Sequence, residues 1–369
     1  MQNGQIVERF MRLREIELPR VMRLIDEVLQ QSTPAGSGLV EMCHYHLETG
    51  GKRLRALLPL MVAESLGAEP GCVLPFGAAC EMLHNATLVH DDLQDGDRQR
   101  RGRDTIWERY GASRAINLGD AMFYYALLLL QRLDVPVEAR ERAASRLLHD
   151  TLRVIDGQER EFLLKGQKAP SLEGYFAMVE GKTSGLFALP LAGAAELCGA
   201  EETVVEALAE SSRHLGVLFQ IQDDVLDLYG DKGRASRGSD VGEGKRSVLV
   251  VHALNHGSAE DACWLRGVLD RDRAETCSGD ISEACALFER LGSLDFALSE
   301  VSRRRQAALE PTIYRTQETI SSLVDGLCDL FLAPIAPLMA ERLGGKSSSG
   351  GESRIILRVA SRIRESSSE

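Results

Sequence analysis

Sustained alternation of apolar and polar side chains is missing from this chain, so no extended sheet is expected. Aromatics are scarce, 5% of the residues, and the core must be built from aliphatic side chains. The eight cysteines form no CxxC or His-paired zinc spacing; several sit on apolar helical faces as small hydrophobes, and the set reads as reduced and structural, which suits a cytoplasmic location. The longest apolar runs, such as 121–130, are too short to cross a bilayer. The N-terminus reads as a charged amphipathic helix rather than a signal peptide, and a soluble protein is expected. Basic residues are outnumbered, 43 against 55 acidic, and the net charge of −12 argues against general nucleic-acid binding.

What the chain does have is Leu and Ala at spacings of three and four. Residues 6–30, 76–89, 120–133, 204–228 and 316–343 all show this period, which predicts an all-α fold with a core large enough to be stable unaided. Turn-rich breaks at 32–38, 67–71, 166–170, 230–244 and 278–280 punctuate the helices, and none looks like an interdomain linker. One helical domain over 1–344 is expected, followed by a GGKSSSGG linker and a basic tail in 345–369. In that tail Arg354, Arg358 and Arg362 share one helical face, with Ile355, Ile356, Val359 and Ile363 on another. Such a segment suits weak contact with an anionic membrane surface, or is a disordered tail of no consequence.

The most informative feature is a carboxylate pattern that occurs twice. Asp91, Asp92 and Asp95 stand in LVHDDLQD, and Asp223, Asp224 and Asp227 in FQIQDDVLD. On a helix, positions i and i+4 share a face, so each DDxxD presents clustered oxygens. Six carboxylates beside apolar surface repel one another unless cations neutralise them. Mg²⁺ takes one or two carboxylates plus substrate phosphates, so two such helices can trap a diphosphate and ionise its carbon–oxygen bond. Against the global charge, Lys52, Arg53 and Arg55 cluster after Gly50-Gly51, and Arg98, Arg100, Arg101 and Arg103 follow the first aspartates. Glycines allow close backbone approach and helix-start N–H groups favour anions, while guanidinium forks grip diphosphate oxygens in pairs. Together these point to a focused anionic-ligand site.

At this point the sequence resembles the trans-isoprenyl diphosphate synthases. The matching pieces are GGKRLR (50–55), HNATLVHDDLQDGDRQRRG (84–102), GKTSGLF (181–187), FQIQDDVLDLYGD (219–231) and GSDVGEGKRSVLVVHAL (238–254), in the family's order and spacing. The resemblance implies an orthogonal helical bundle of the isoprenoid synthase type around a central cavity, usually homodimeric. It implies three Mg²⁺ ions held by Asp91, Asp95 and Asp223, with Asp92, Asp224 and Asp227 supporting. Lys52, Arg55, His84 and Arg101 would hold isopentenyl diphosphate. Arg100, Lys182, Thr183, Gln220 and Lys245 would serve the allylic diphosphate. Three departures stand out: Ala56 where proline is usual, Glu161 where aspartate is usual, and Arg234 or Arg237 near the place of a lysine.

The implied chemistry is ionisation, condensation and elimination, with Lys182 among the catalytic residues. Chain length would be set below Asp91, by Thr87 and Ala86 and then Leu83, about 6 and 12 Å deeper at ~1.5 Å per residue. These small residues, and the lack of a two-residue insertion in the first motif, argue against a farnesyl product. Phe123 or Tyr124 could form a floor near twenty carbons, or simply pack in the core. Geranylgeranyl diphosphate is the expected product, with a longer polyprenyl diphosphate as the alternative. A terpene cyclase would not need the second basic site, and a non-catalytic subunit would typically have lost aspartates.

Overall fold

Apolar periodicity becomes helix along nearly the whole chain. The computed structural model describes residues 2–230 and 238–343. In order, the helices are α1 Gln2–Ile16, α2 Leu18–Ser32, α3 Leu39–Leu47, α4 Leu54–Ser65, α5 Leu74–Gln94, α6 Ile106–Tyr110, α7 Ala112–Leu130, α8 Val137–Lys165 and α9 Leu172–Lys182. There follow α10 Gly185–Leu197, α11 Glu202–Tyr229, α12 Ser239–Gly242, α13 Val248–His256, α14 Ala259–Leu269, α15 Ser278–Arg290, α16 Ser293–Ala308, α17 Glu318–Leu332 and α18 Ala336–Leu343. The expected all-α class is borne out. Among the described residues the only sheet is a hairpin, β1 Gln99–Arg100 with β2 Arg103–Asp104, antiparallel.

Local chemistry explains where the helices start and stop. A proline in the first turn of α5 costs no hydrogen bond, because those N–H groups have no intrahelical partner. Ser171 and Ser247 cap α9 and α13 by accepting from Gly174 and Val250 N–H, and Ser258 with Asp261 forms a capping box on α14. Every residue of α4 except Glu64 is buried, which marks it as a core helix rather than an amphipathic surface one.

One hydrophobic cluster runs through these helices from Ile6 to Ile335. Helix α5 lies within it, flanked by α7 and α4, and α11 packs on α10 and α16. The expectation that every apolar run is too short for a bilayer needs correction. Pro70–Gln94 and Glu318–Leu343 are long and apolar enough by length and composition, with mean hydropathy 1.2 and 1.6. Most of each window, 72% and 56%, is buried against other helices, as in the core helices of a folded domain.

Candidate active site

Helices α5 and α11 contribute to the same cavity, of about 210 Å³. Helical spacing brings Asp91, on α5, and Asp95, its C-terminal cap, to the cavity wall, and Asp223 on α11 lines it too. Three ammonium groups balance this cluster. Lys182 Nζ lies 2.7 Å from Glu161 and 3.8 Å from Asp91, Lys245 Nζ lies 3.1 Å from Asp95, and Lys165 Nζ lies 3.9 Å from Asp95. Burial raises the Asp91 pKa, with Lys182 pulling the other way. Burial acts on Asp95 too, yet Lys245, Lys182 and Lys165 outweigh it and hold that carboxyl below its ordinary value. Lys182 stays protonated above its usual range because Asp91 and Glu161 overcome its desolvation.

The basic end is built from α4, α5 and the hairpin. Arg55 is 8% exposed, with its guanidinium carbon 4.4 Å from the Phe187 ring centroid and 5.5 Å from that of Phe219. Its Nε has no hydrogen-bond partner, and burial lowers its pKa to about 10 against the opposing charge of Glu81. His84 lines the same wall, and its buried Nδ1 also lacks a partner. Burial first, and then Arg55, Arg100, Arg101 and Arg53, push its pKa well below the usual value, so the imidazole is neutral. A buried guanidinium and an open imidazole nitrogen aimed into one cavity suit an anionic ligand.

Residues 37–288 match the polyprenyl synthetase family model. The chain belongs to the polyprenyl synthetase family. It is 35% identical over 298 residues to geranylgeranyl diphosphate synthase of Mycobacterium tuberculosis, covering 77% of this chain and 84% of that one. It is also 35% identical over 260 residues to (2E,6E)-farnesyl diphosphate synthase of Mycobacterium bovis, covering 69% and 71% of the two chains. The structure superposes on geranylgeranyl pyrophosphate synthetase from Pyrococcus horikoshii with a TM-score of 0.76 at 28% identity, over 87% of this chain and 98% of that one. The resemblance to the trans-isoprenyl diphosphate synthases is thus borne out.

Within this polyprenyl synthetase the sequence-derived candidates separate into two groups. Asp91, Asp95, Asp223, Asp224, Arg55, His84, Arg100, Lys182, Thr183, Gln220 and Lys245 all reach the cavity. Asp92 is 2% exposed and takes Arg100 at 2.6 and 2.8 Å on its Oδ1, with burial raising its pKa to about 6 against that guanidinium. Asp224 accepts from Tyr175 Oη at 2.7 Å, Gln220 Nε2 at 2.9 Å and Val248 N–H at 2.9 Å. Asp227 accepts from Ser239 Oγ at 2.7 Å and Asp240 N–H at 3.1 Å. In each of these three at least one carboxylate oxygen is engaged by the protein, which suits the supporting role expected of them around Asp91, Asp95 and Asp223.

Lys52 is exposed, and Arg101 donates to the Gly50 carbonyl on the same loop, outside the cavity lining. Arg53 and Arg101 both adopt left-handed backbone, φ 51° and 52°, at the two places where the basic loops turn. Arg53 pairs inward with Glu81 at 2.9 Å and braces the loop.

The chain-length candidates fare less evenly. Leu83 and Ala86 are buried in the α5 interior, and Thr87 Oγ1 donates to the His84 carbonyl at 2.8 Å. Phe123 lies against the His90 ring, 5.8 Å between centroids, beside Asp91 rather than several turns deeper. Tyr124 is 68% exposed on the outer face of α7. The exposed Tyr124 does not fit a floor inside the chain, which leaves Phe123 as the aromatic candidate of the two. A Cβ on Gly119 would stand 2.2 Å from His90 Nε2, so this close approach fixes how α7 sits on α5. Arg234, Arg237 and the tail 345–369 lie outside the described residues.

Sequence reasoning passed over Phe187, Phe219, Tyr175, Asp240 and Arg246. Asp240, Phe187 and Phe219 lie inside matched motifs, so their neighbours were a signal. For Tyr175 the sequence carries none.

Proposed function

We propose that this chain is a Mg²⁺-dependent prenyltransferase that condenses isopentenyl diphosphate with an allylic diphosphate to give geranylgeranyl diphosphate. The observation that carries this is the convergence of Asp91, Asp95 and Asp223, from two helices, with Lys182, Lys245 and Arg55 on one cavity. Among the described residues no group of three or more ligating side chains closes on a single point. A hard cation that draws its remaining ligands from water and substrate phosphate fits such a set, and Asp91, Asp95 and Asp223 are the residues that would hold three ions. The bound ions would supply charge neutralisation for the departing diphosphate.

The chain's own residues would do the rest. Arg100, Lys182, Gln220 and Lys245 bind the allylic diphosphate and orient its carbon–oxygen bond over the apolar wall formed by Leu88, Met178 and Phe219. Arg55 and neutral His84, with Lys52 and Arg101 from their loops, hold isopentenyl diphosphate so that its double bond lies near the ionising carbon. Thr183 Oγ1 donates to Gln220 Oε1 at 3.0 Å, and the Lys182-Thr183 pair would help stabilise the separated charge. The proton released on elimination goes to the diphosphate product.

Small Ala86 and Thr87 below Asp91 support a twenty-carbon product over fifteen, while the relatives matched at 35% identity include geranylgeranyl and farnesyl diphosphate synthases alike. An exposed apolar face made by Ile116 and Tyr124 of α7 and Leu148, Leu152 and Ile155 of α8 supports a homodimer. Buried thiols at Cys43, Cys80 and Cys328 suit the cytoplasm. The test is incubation with Mg²⁺, isopentenyl diphosphate and, separately, dimethylallyl, geranyl and farnesyl diphosphates, followed by mass spectrometry of the dephosphorylated alcohols. A single twenty-carbon alcohol is expected. Longer alcohols overturn the product, and no condensation with any primer overturns the reaction.

A further inference from the structure

Arg273 belongs to none of the motifs, yet it joins two loops of the cavity. It stands in the short turn Arg273–Glu275 between α14 and α15. Its Nη1 donates to Asp97 Oδ1 at 2.8 Å, 176 residues away in the loop that follows α5. Its Nη2 lies 3.0 Å from Glu243 Oε1, in the turn that follows α12. Glu243 in turn holds the Lys245 ammonium at 2.8 Å, and the same ammonium lies 3.1 Å from Asp95. An unbroken line of alternating charge therefore runs Asp97, Arg273, Glu243, Lys245, Asp95. Asp97 and Lys245 line the cavity, and the Glu243 side chain is 3% exposed.

We propose that Arg273 is a positioning residue for the diphosphate end of the cavity, because it shares Glu243 with Lys245 and ties the Glu243 turn to the Asp97 loop. The proposal rests on the prenyltransferase reading above, in which Lys245 binds the allylic diphosphate and Asp95 turns to a cation. Once Asp95 does so, Lys245 loses one carboxylate, and the buried Glu243 at 2.8 Å becomes the diphosphate's nearest competitor for that ammonium, with Asp240 farther off at 3.9 Å. A guanidinium on the other oxygen of Glu243 draws part of its charge and leaves Lys245 available to the substrate. The second arm of the same fork fixes the loop that leads from Asp95. Lysine keeps the charge but lacks the planar fork, so it would hold the two carboxylates in a less fixed geometry. With its side chain 45% exposed, Arg273 is screened by solvent, so its pairs count for little as stability and its value lies in placement.

The experiment compares wild type, Arg273→Ala, Arg273→Lys and Arg273→Ala combined with Glu243→Gln. Calorimetric binding of inorganic pyrophosphate in Mg²⁺ is measured beside steady-state kinetics. Arg273→Ala should weaken pyrophosphate binding and raise KM for the allylic substrate about tenfold, because Glu243 then bears its full charge against Lys245. KM for isopentenyl diphosphate should stay within about twofold, because that site lies at the Arg55 wall and gains nothing from the fork. Arg273→Lys should recover only part of the affinity, whereas adding Glu243→Gln should recover most of it by removing the competitor. Unchanged pyrophosphate affinity in Arg273→Ala overturns the proposal. So does a loss that Glu243→Gln leaves unrepaired, or one that falls equally on both substrates. Wild type that neither binds magnesium pyrophosphate nor condenses substrates overturns the prenyltransferase reading itself, and this proposal with it.

Discussion

The guanidinium of Arg55 stacks on the ring of Phe187, 4.4 Å from its centroid, with Phe219 at 5.5 Å. Phe331 of α17 completes the cage, 5.2 Å from each of those rings. An aromatic face attracts a cation but returns less than water does, so a fully buried charge without a carboxylate at contact distance is held at a cost. That cost is characteristic of a group kept for an anionic ligand.

Arg55→Met should therefore stabilise the folded chain while damaging its chemistry. Replacing a poorly compensated buried charge by an apolar side chain of similar volume removes its desolvation cost. Thermal unfolding should shift upward while KM for isopentenyl diphosphate rises by at least tenfold, one lost charge-assisted contact. A variant that is both less stable and kinetically normal would show the stacked Arg55 to be structural.

Gly157 of α8 meets α9 so closely that a Cβ there would stand 2.0 Å from the Lys182 backbone nitrogen. Backbone cannot give way as a flexible side chain does. Gly157→Ala should cost about 1–3 kcal/mol as overpacking and push Lys182 off Asp91 and Glu161, lowering kcat together with the melting temperature. Retention of both would mean that the two helices separate freely.

Asp224 stands next to Asp223 in sequence and is held from three sides. Tyr175, Gln220 and Val248 all donate to Asp224, an arrangement only an acceptor can satisfy, although burial and then Asp240 raise its pKa to about 7. Asp224→Asn would face those donors with an amide of its own and should lose about 1–3 kcal/mol, the cost of a buried donor left unsatisfied. Chemical denaturation of Asp224→Asn beside wild type measures the loss. Equal stability of variant and wild type would contradict it.

Glu161 holds Lys182 at 2.7 Å, while Asp91 lies 3.8 Å from the same ammonium. Glu161→Ala should let Lys182 close on Asp91, in competition with a metal ion. The Mg²⁺ concentration at half-maximal rate should rise about three- to tenfold, a shift worth on the order of 1 kcal/mol. An unchanged Mg²⁺ dependence would show that Glu161 does not govern where Lys182 stands.

Helical spacing made the clustering of the aspartates and the shared face of His84 legible in the sequence, because such a relationship on one helix needs no knowledge of its neighbours, while Lys182 and Arg100 came from the resemblance to the family's motifs. Partners drawn from distant segments were not legible. Tyr175 reaches Asp224 across 49 residues and Arg273 reaches Asp97 across 176, and no local period records either meeting. Which aromatic could form a floor was not legible for a related reason. Phe123, Tyr124 and Tyr125 occupy three directions around α7, and only the Gly119–His90 approach decides which direction meets α5. Tyr125 instead shares a hydrogen bond with Thr33 at 2.5 Å, and Tyr124 is left outside.

The central claim is that the two aspartate helices act as one diphosphate-ionising site, and its most direct test is the steady-state rate of pyrophosphate release from an allylic diphosphate and isopentenyl diphosphate in Mg²⁺. Asp91→Ala and Asp223→Ala, each measured alone beside wild type, should both lose on the order of 10³-fold in kcat, several kcal/mol of transition-state stabilisation. Near-wild-type turnover in either variant would contradict a site shared between α5 and α11.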